Sequence, residues 1–219
     1  MRRTGKSKKA INVFLTAVLA GTLLFTGCGK EDDDAASDSQ EESAASSDGE
    51  TELLSGLHHV NIVIKDKGTI SVELDADAAP ITVTNFINLA EAGFYDGVTF
   101  HRIIAGFMMQ GGDPTGTGSG GSGETITGEF ADNGVDNPIS HTRGVISMAR
   151  SQRKDSASSQ FFIMHQDGTY LDGQYAAFGH VTEGMEIVDD ICENTTGQDE
   201  NGIVPAENRP VIETIEVVD

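Results

Sequence analysis

From residue 57 onward the chain is written in short alternating runs, and only two of its segments have helical spacing. Val60-Asn61-Ile62-Val63-Ile64 and Thr69-Ile70-Ser71-Val72-Glu73-Leu74 are rich in β-formers, and the second alternates apolar with polar. Lys65-Asp66-Lys67-Gly68 between them has turn composition, so the two runs form a hairpin. Ala79–Gly93 reads as a helix: Pro80 suits its first turn, Val83, Phe86, Ile87 and Ala90 mark one face, and Gly93 suits the stop. Short strands are expected around Val98–Ile104, Val145–Ala149, Gln160–Met164 and Ala176–Val181. A second helix is expected from Met185 to Cys192 and a last strand over Val211–Val218. One helix in each half of a strand-rich chain, without internal repeat, predicts a mainly β fold: a closed antiparallel barrel capped by helices.

The chain ahead of this domain is of two other kinds. Arg2, Arg3, Lys6, Lys8 and Lys9 precede a short apolar stretch, Ala10–Thr26, which ends in Leu24-Phe25-Thr26-Gly27-Cys28. That order describes a secretory signal over residues 1–27, and a cysteine after small residues resembles a bacterial lipobox. Cys28 is therefore expected to carry lipid and to become the mature N-terminus. Residues 28–55 are almost all Gly, Ser, Ala, Asp, Glu and Gln, and only Leu53 and Leu54 have anything to bury. Such a segment cannot offset its ordering entropy, so it is expected to be a disordered acidic tether. The domain then occupies 56–219, and the protein is expected to be extracytoplasmic, held at the cell membrane by the lipid anchor alone.

Loss of residues 1–27 removes five of the 14 basic residues and none of the 35 acids, leaving 192 residues with a formal charge of −26. A chain so acidic repels nucleic acid and anionic membrane, and nucleic-acid binding is excluded on that ground. With Cys28 lipidated, Cys192 has no partner for a disulfide; in a helix-like run without neighbouring His or Cys it reads as a small buried hydrophobe.

The run Phe100-His101-Arg102-Ile103-Ile104-Ala105-Gly106-Phe107-Met108-Met109-Gln110-Gly111-Gly112-Asp113 sets a permanent cation among large apolar side chains, with an amide close behind. Guanidinium stays charged and is costly to desolvate, so its place here calls for a purpose. The run resembles the signature of the cyclophilin family of peptidyl-prolyl isomerases. Ser147-Met148-Ala149-Arg150, Ser159-Gln160-Phe161-Phe162-Ile163 and Tyr170-Leu171-Asp172-Gly173-Gln174-Tyr175 resemble that family's later site segments, in the same order. The likeness covers residues 57–219 and implies an eight-stranded barrel.

Prolyl rotation has a barrier of about 18–20 kcal/mol set by amide resonance, and lowering it needs no nucleophile, metal or cofactor. It needs a pocket for the pyrrolidine ring, a grip on the preceding carbonyl, and a cation that favours a pyramidal prolyl nitrogen. The resemblance implies Arg102 as that cation and Gln110 as the carbonyl-binding amide. It implies Phe107, Met108, Phe162 and Leu171 as the pocket, and Ala149, Arg150, Gln160, Tyr170 and Tyr175 as groove and rim. Phe161 is then expected to point into the barrel. Along a strict strand Phe107 points away from Arg102, Met108 and Gln110, so a register break at Ala105-Gly106 is required. Tyr170 stands where well-known eukaryotic members have Trp, Tyr175 where they have His, Arg150 where they have Asn, and Ala105 in place of a common Pro. Without the indole N–H, weak cyclosporin binding is expected. The expected partners are proline-containing segments of exported proteins.

Other motifs lead elsewhere. Gly111–Gly123 suggests a phosphate-cradling loop but lacks the Gly-Lys-Ser/Thr ending and opens no helix. The six histidines do not show metal-ligand spacing, and His101 alternates away from Arg102 as a core residue does. Ser159, His165 and Asp167 could be assembled into a hydrolase on paper, but no nucleophile elbow frames a serine. The serious alternative is a non-catalytic Pro-peptide-binding chaperone or assembly module; a lipoprotein whose tether recruits a partner is a third.

Overall fold

A computed structural model describes residues 52–218. The signal segment, Cys28 and nearly all of the acidic tether lie outside the described residues. Packing begins at the tether's end, where the Leu54 N–H donates to Thr84 Oγ1 at 2.9 Å and the Leu54 side chain rests on the core.

Eight strands form one sheet: β1 (Leu57–Ile64), β2 (Gly68–Asp75), β3 (Arg102–Ile104), β4 (Met108–Gly111), β5 (Val145–Met148), β6 (Phe161–Met164), β7 (Ala177–Glu183) and β8 (Ile212–Val217). Among the described residues two α-helices accompany them, α1 (Pro80–Glu91) and α2 (Met185–Asn194). The sheet runs β3-β4-β6-β5-β7-β2-β1-β8, and each neighbouring pair is antiparallel. The expected closed barrel takes the form of a curled sheet, because the ladder does not continue from β8 to β3. At that seam an isolated bridge joins Thr99 to Val211, and the Phe100 N–H donates to Pro210 O at 3.0 Å. The strand expected over Val98–Ile104 is accordingly shorter: in its first half Thr99 makes that isolated bridge, Val98 O accepts from Ile212 N–H at 2.8 Å, and the ladder begins at Arg102.

Helix α1 starts on Pro80 without a cap from its own neighbours. The buried carboxylate of Glu129 takes that place from 47 residues away, accepting from Ile81 N–H at 2.9 Å and Thr82 N–H at 2.8 Å. A helix N-terminus presents orphan donors and a partial positive charge, so a distant anion satisfies both. The helix buries Val83, Phe86, Ile87 and Ala90, the face read from its spacing. Phe86 meets Tyr95, Phe161 and Phe178 at centroid distances of 5.2–5.4 Å, and Phe161 also meets Phe100 edge-on at 5.9 Å. Phe161 thus points into the curl, as expected. In α2, Cys192 is buried, and burial pushes its thiol up to about 12, which leaves it inert as a nucleophile.

Strands β4, β5 and β6 are buried on both sides, so they separate two apolar clusters. Met109, Ile146, Met148, Phe161 and Ile163 face the main core, while Met108, Val145, Phe162 and Met164 form a second cluster with Leu171 and Ala177. This second face carries the pocket.

Candidate active site

Strand register brings the chemistry into one line. Arg102 pairs with Gln110, Gln110 with Phe162, Phe162 with Ser147, and Ser147 with Ala177, so four residues from β3, β4, β6 and β5 form a row that ends on β7. The required break occurs where glycine allows it. The Phe107 N–H closes a turn on Ile104 O at 3.0 Å with Gly106 at φ 79°, and this swings Phe107 to the side of Met108. A pocket of about 170 Å³ results, lined by Arg102, Phe107, Met108, Gln110, Ala149, Arg150, Phe162, Leu171 and Tyr175. Two of the expected site residues lie beside it. Gln160 lines an adjoining groove of about 480 Å³, together with Gly118, Gly120, Glu124 and Ser156, and the two spaces share Gln110, Ala149 and Arg150. Tyr170 is 64% exposed and lies outside the pocket lining, stacked on Phe107 at 6.0 Å.

Arg102 is half-buried at the pocket wall. Its Nε–H donates to Asn201 O at 2.9 Å and its Nη1–H to Gln110 Oε1 at 3.4 Å. Among the described residues no carboxylate lies within ion-pair distance of it. The domain over 56–219 carries 25 acids, yet Arg102, like Arg150 across the pocket, is held by carbonyl and amide oxygens and aromatic neighbours instead of a carboxylate, which leaves its charge available to a ligand. Gln110 in turn donates from Nε2 to Gln160 Oε1 at 2.9 Å, and Gln160 donates from Nε2 to Gly120 O at 2.8 Å. This relay orients the Gln110 amide and uses one of its two N–H bonds. The Arg150 guanidinium lies between the rings of Phe130 and Tyr175, at 4.9 and 4.8 Å from their centroids. Its Nε–H and Nη1–H hold Gln174 O and Ser151 O.

Several supporting residues were not visible in the sequence. His141 stacks on Phe162 at 6.1 Å behind the pocket floor. Its Nδ1 is 2.9 Å from Asp172 Oδ1 and its Nε2 is 2.9 Å from Ser147 Oγ. Burial lowers the His141 pKa against the pull of Asp172, which keeps the ring neutral at physiological pH. The Ser-His-Asp order resembles a hydrolase charge chain, but Ser147 and His141 are 0% exposed, and a carbonyl cannot reach the hydroxyl. The paper triad does not assemble: Ser159 Oγ donates to Gly112 O, and the Asp167 carboxylate accepts from Arg143 N–H.

The glycine-rich loop is organised by Asp113. Its buried carboxylate accepts from Thr115 N–H and Oγ1–H, both at 2.7 Å, and from Gly118 N–H at 2.6 Å and Gly120 N–H at 3.1 Å. Burial raises its pKa, but these donors outweigh that and hold the carboxyl far below its ordinary range. A Cβ at Gly120 would collide with the same carboxylate. The sequence signal was there in Asp113-Pro114-Thr115-Gly116-Thr117, an Asp ahead of turn-forming donors. His101 is buried as expected, without a hydrogen-bond partner on either ring nitrogen; burial lowers its pKa and keeps it neutral.

A family model for cyclophilin-type peptidyl-prolyl cis-trans isomerases matches residues 59–217. Peptidyl-prolyl cis-trans isomerase B of Bacillus subtilis (strain 168) is 49% identical over 125 residues, covering 57% of this chain and 84% of that protein. The peptidyl-prolyl cis-trans isomerase of Helicobacter pylori (strain ATCC 700392 / 26695) is 48% identical over 128 residues, 58% of this chain and 76% of that one. A crystal structure of a Cryptosporidium parvum cyclophilin-type isomerase, obtained in the presence of the dipeptide Ala-Pro, superposes with a TM-score of 0.64 at 31% identity, over 74% of this chain and 99% of that one. Curled sheet, pocket row and relatives agree, and the chain belongs to the cyclophilin-type peptidyl-prolyl cis-trans isomerases, a family of enzymes.

Proposed function

We propose that this enzyme accelerates X-Pro rotation in exported proteins by weakening amide resonance electrostatically. The prolyl ring enters the pocket between Phe107, Met108, Phe162 and Leu171. Gln110 donates to the carbonyl before the proline, and Arg102 donates toward the prolyl nitrogen as it becomes pyramidal. A preorganised cation in a partly desolvated wall stabilises the twisted state more than either planar one, which is the condition for catalysis. The observation that carries this reading is Arg102 itself, placed on the pocket wall with no acidic partner among the described residues. Protease-free exchange kinetics on an Ala-Pro peptide test it. A folded chain that binds the peptide without accelerating exchange would be a binding module instead.

The composition of residues 1–55 supports an extracytoplasmic setting for this activity. Lipid on Cys28 and an acidic tether would hold the domain off the membrane on the extracytoplasmic side, where slow prolyl steps limit folding of newly exported chains. Cys28→Ser is expected to move the protein from the membrane fraction to the soluble one; a variant that stays membrane-bound would overturn the lipid assignment.

Cyclosporin binding is expected to be weak. Tyr170 supplies a hydroxyl where an indole N–H would be needed, and it sits outside the pocket lining. Titration should give a micromolar dissociation constant, tightened about tenfold by Tyr170→Trp through one recovered hydrogen bond. Nanomolar affinity of the parent would count against this.

A further inference from the structure

The turn that carries Phe107 is held from behind by one buried histidine. His165 directly follows β6 and is buried, 4% exposed. Its Nδ1 receives the Gly106 N–H at 2.9 Å, and its own N–H donates to Phe107 O at 2.9 Å. A backbone N–H can only donate, so Nδ1 must be the unprotonated nitrogen and Nε2 carries the hydrogen. Nε2 lies 3.3 Å from Asp189 Oδ1 on α2. Asp189 is fixed in turn by a two-pronged contact from Arg143, Nη1 at 2.6 Å and Nη2 at 2.7 Å, and Arg143 Nη1 also donates to His165 O at 2.8 Å. The peptide groups before Gly106 and after Phe107 are thus tied to one residue, whose ring is anchored on its other side to α2 through Asp189.

We propose that His165 is a positioning residue for the isomerase: it clamps the Gly106–Phe107 turn so that the Phe107 ring closes the wall of the proline pocket. Gly106 has φ 79°, and a glycine turn held only by its own Ile104–Phe107 bond samples other conformations readily. The clamp removes that freedom before substrate arrives, which is preorganisation of a binding wall. The proposal rests on the reading of Phe107 as pocket wall. His165 touches neither Arg102 nor Gln110 in any hydrogen bond, so its loss should act on substrate binding and spare the chemical step.

The test is steady-state isomerase kinetics on the full chain, with thermal melts as a control for folding. Asparagine places a carbonyl oxygen at the Nδ1 position and keeps the Gly106 acceptor; glutamine reaches toward Asp189 and leaves Gly106 without one. His165→Leu and His165→Gln are expected to raise KM roughly fivefold to tenfold with kcat within about twofold, the scale of one lost buried hydrogen bond. His165→Asn is expected to restore KM to within about twofold of the parent. Equal KM in all three, rescue by glutamine in place of asparagine, or a loss confined to kcat would overturn the proposal. If the leucine variant does not fold, the Asn–Gln pair decides alone. Phe107→Ala is measured beside them. An unchanged KM there removes the pocket-wall reading, whereas a raised KM there with parent-like His165 variants removes the clamp only.

Discussion

Arg102→Ala is expected to lower kcat/KM for prolyl exchange by about two to three orders of magnitude, the cost of removing one preorganised donor from a charge-stabilising site. The fold should survive. The side chain is half-buried, its two protein contacts are to Asn201 O and the Gln110 amide, and no buried anion among the described residues is left unpaired by its removal. A stability loss of about 1 kcal/mol or less is expected for such a position. Most of the effect should fall on kcat, because the cation acts on a nitrogen that becomes basic only in the twisted state. Arg102→Lys is a useful intermediate: it keeps the charge but cannot hold Asn201 O and Gln110 while still donating into the pocket. Circular dichroism and exchange kinetics on the same samples check this. An Ala variant that is folded and as fast as the parent would mean that the pocket alone accelerates rotation and that the electrostatic mechanism is wrong.

The sequence carried the elements whose signal is local. The β1–β2 hairpin was legible because a β-rich run around Ile62 is followed, after a turn, by Ile70, Val72 and Leu74 alternating with polar neighbours, and all four are buried in the sheet's curl. Helix α1 was legible from its apolar face and Pro80. The register break at Gly106 followed from requiring Phe107 and Met108 to share one pocket. The site residues were a different matter: Arg102 drew attention by physical argument, but Ala149 and Arg150 after β5, Gln160 before β6 and Phe162 on it came from resemblance to a family. What stayed hidden was the supporting layer. Glu129 caps α1 from 47 residues away, Asp172 reaches His141 across 31, and Asp189 meets Arg143 across 46. Hydrogen bonds of that span leave no periodicity in sequence. An acid in a chain of 35 acids does not announce which helix end or ring it will serve.

Asp113 is the supporting residue with the largest expected effect on stability, and its bonds, unlike those, are local. Asp113→Asn replaces one acceptor oxygen by a donor that faces the N–H groups of Thr115, Gly118 or Gly120, whichever way the amide turns. Losing charge-assisted bonds and opposing buried donors is expected to cost about 2–4 kcal/mol at pH 7. For a domain of this size that lowers the melting temperature by roughly 4–16 °C. The pH dependence gives a sharper signature. A carboxyl whose folded pKa is depressed contributes stability that is present in full above its unfolded value of about 3.9 and is lost as pH falls toward the folded one. The gap between parent and variant should therefore be widest near neutrality and should narrow progressively below pH 4. Asp172 and Asp189 are depressed too, through their bonds to His141 and Ser140 and to Arg143, but both are more exposed and both remain in the variant. Their contribution cancels in the difference. Activity should fall with stability in this case, because the loop that Asp113 gathers presents Gly120 O to Gln160, and Gln160 orients the Gln110 amide. Melts that overlay at pH 7, or a gap that stays constant down to pH 3, would show that the loop holds its shape without the carboxylate and that glycine geometry alone builds the groove.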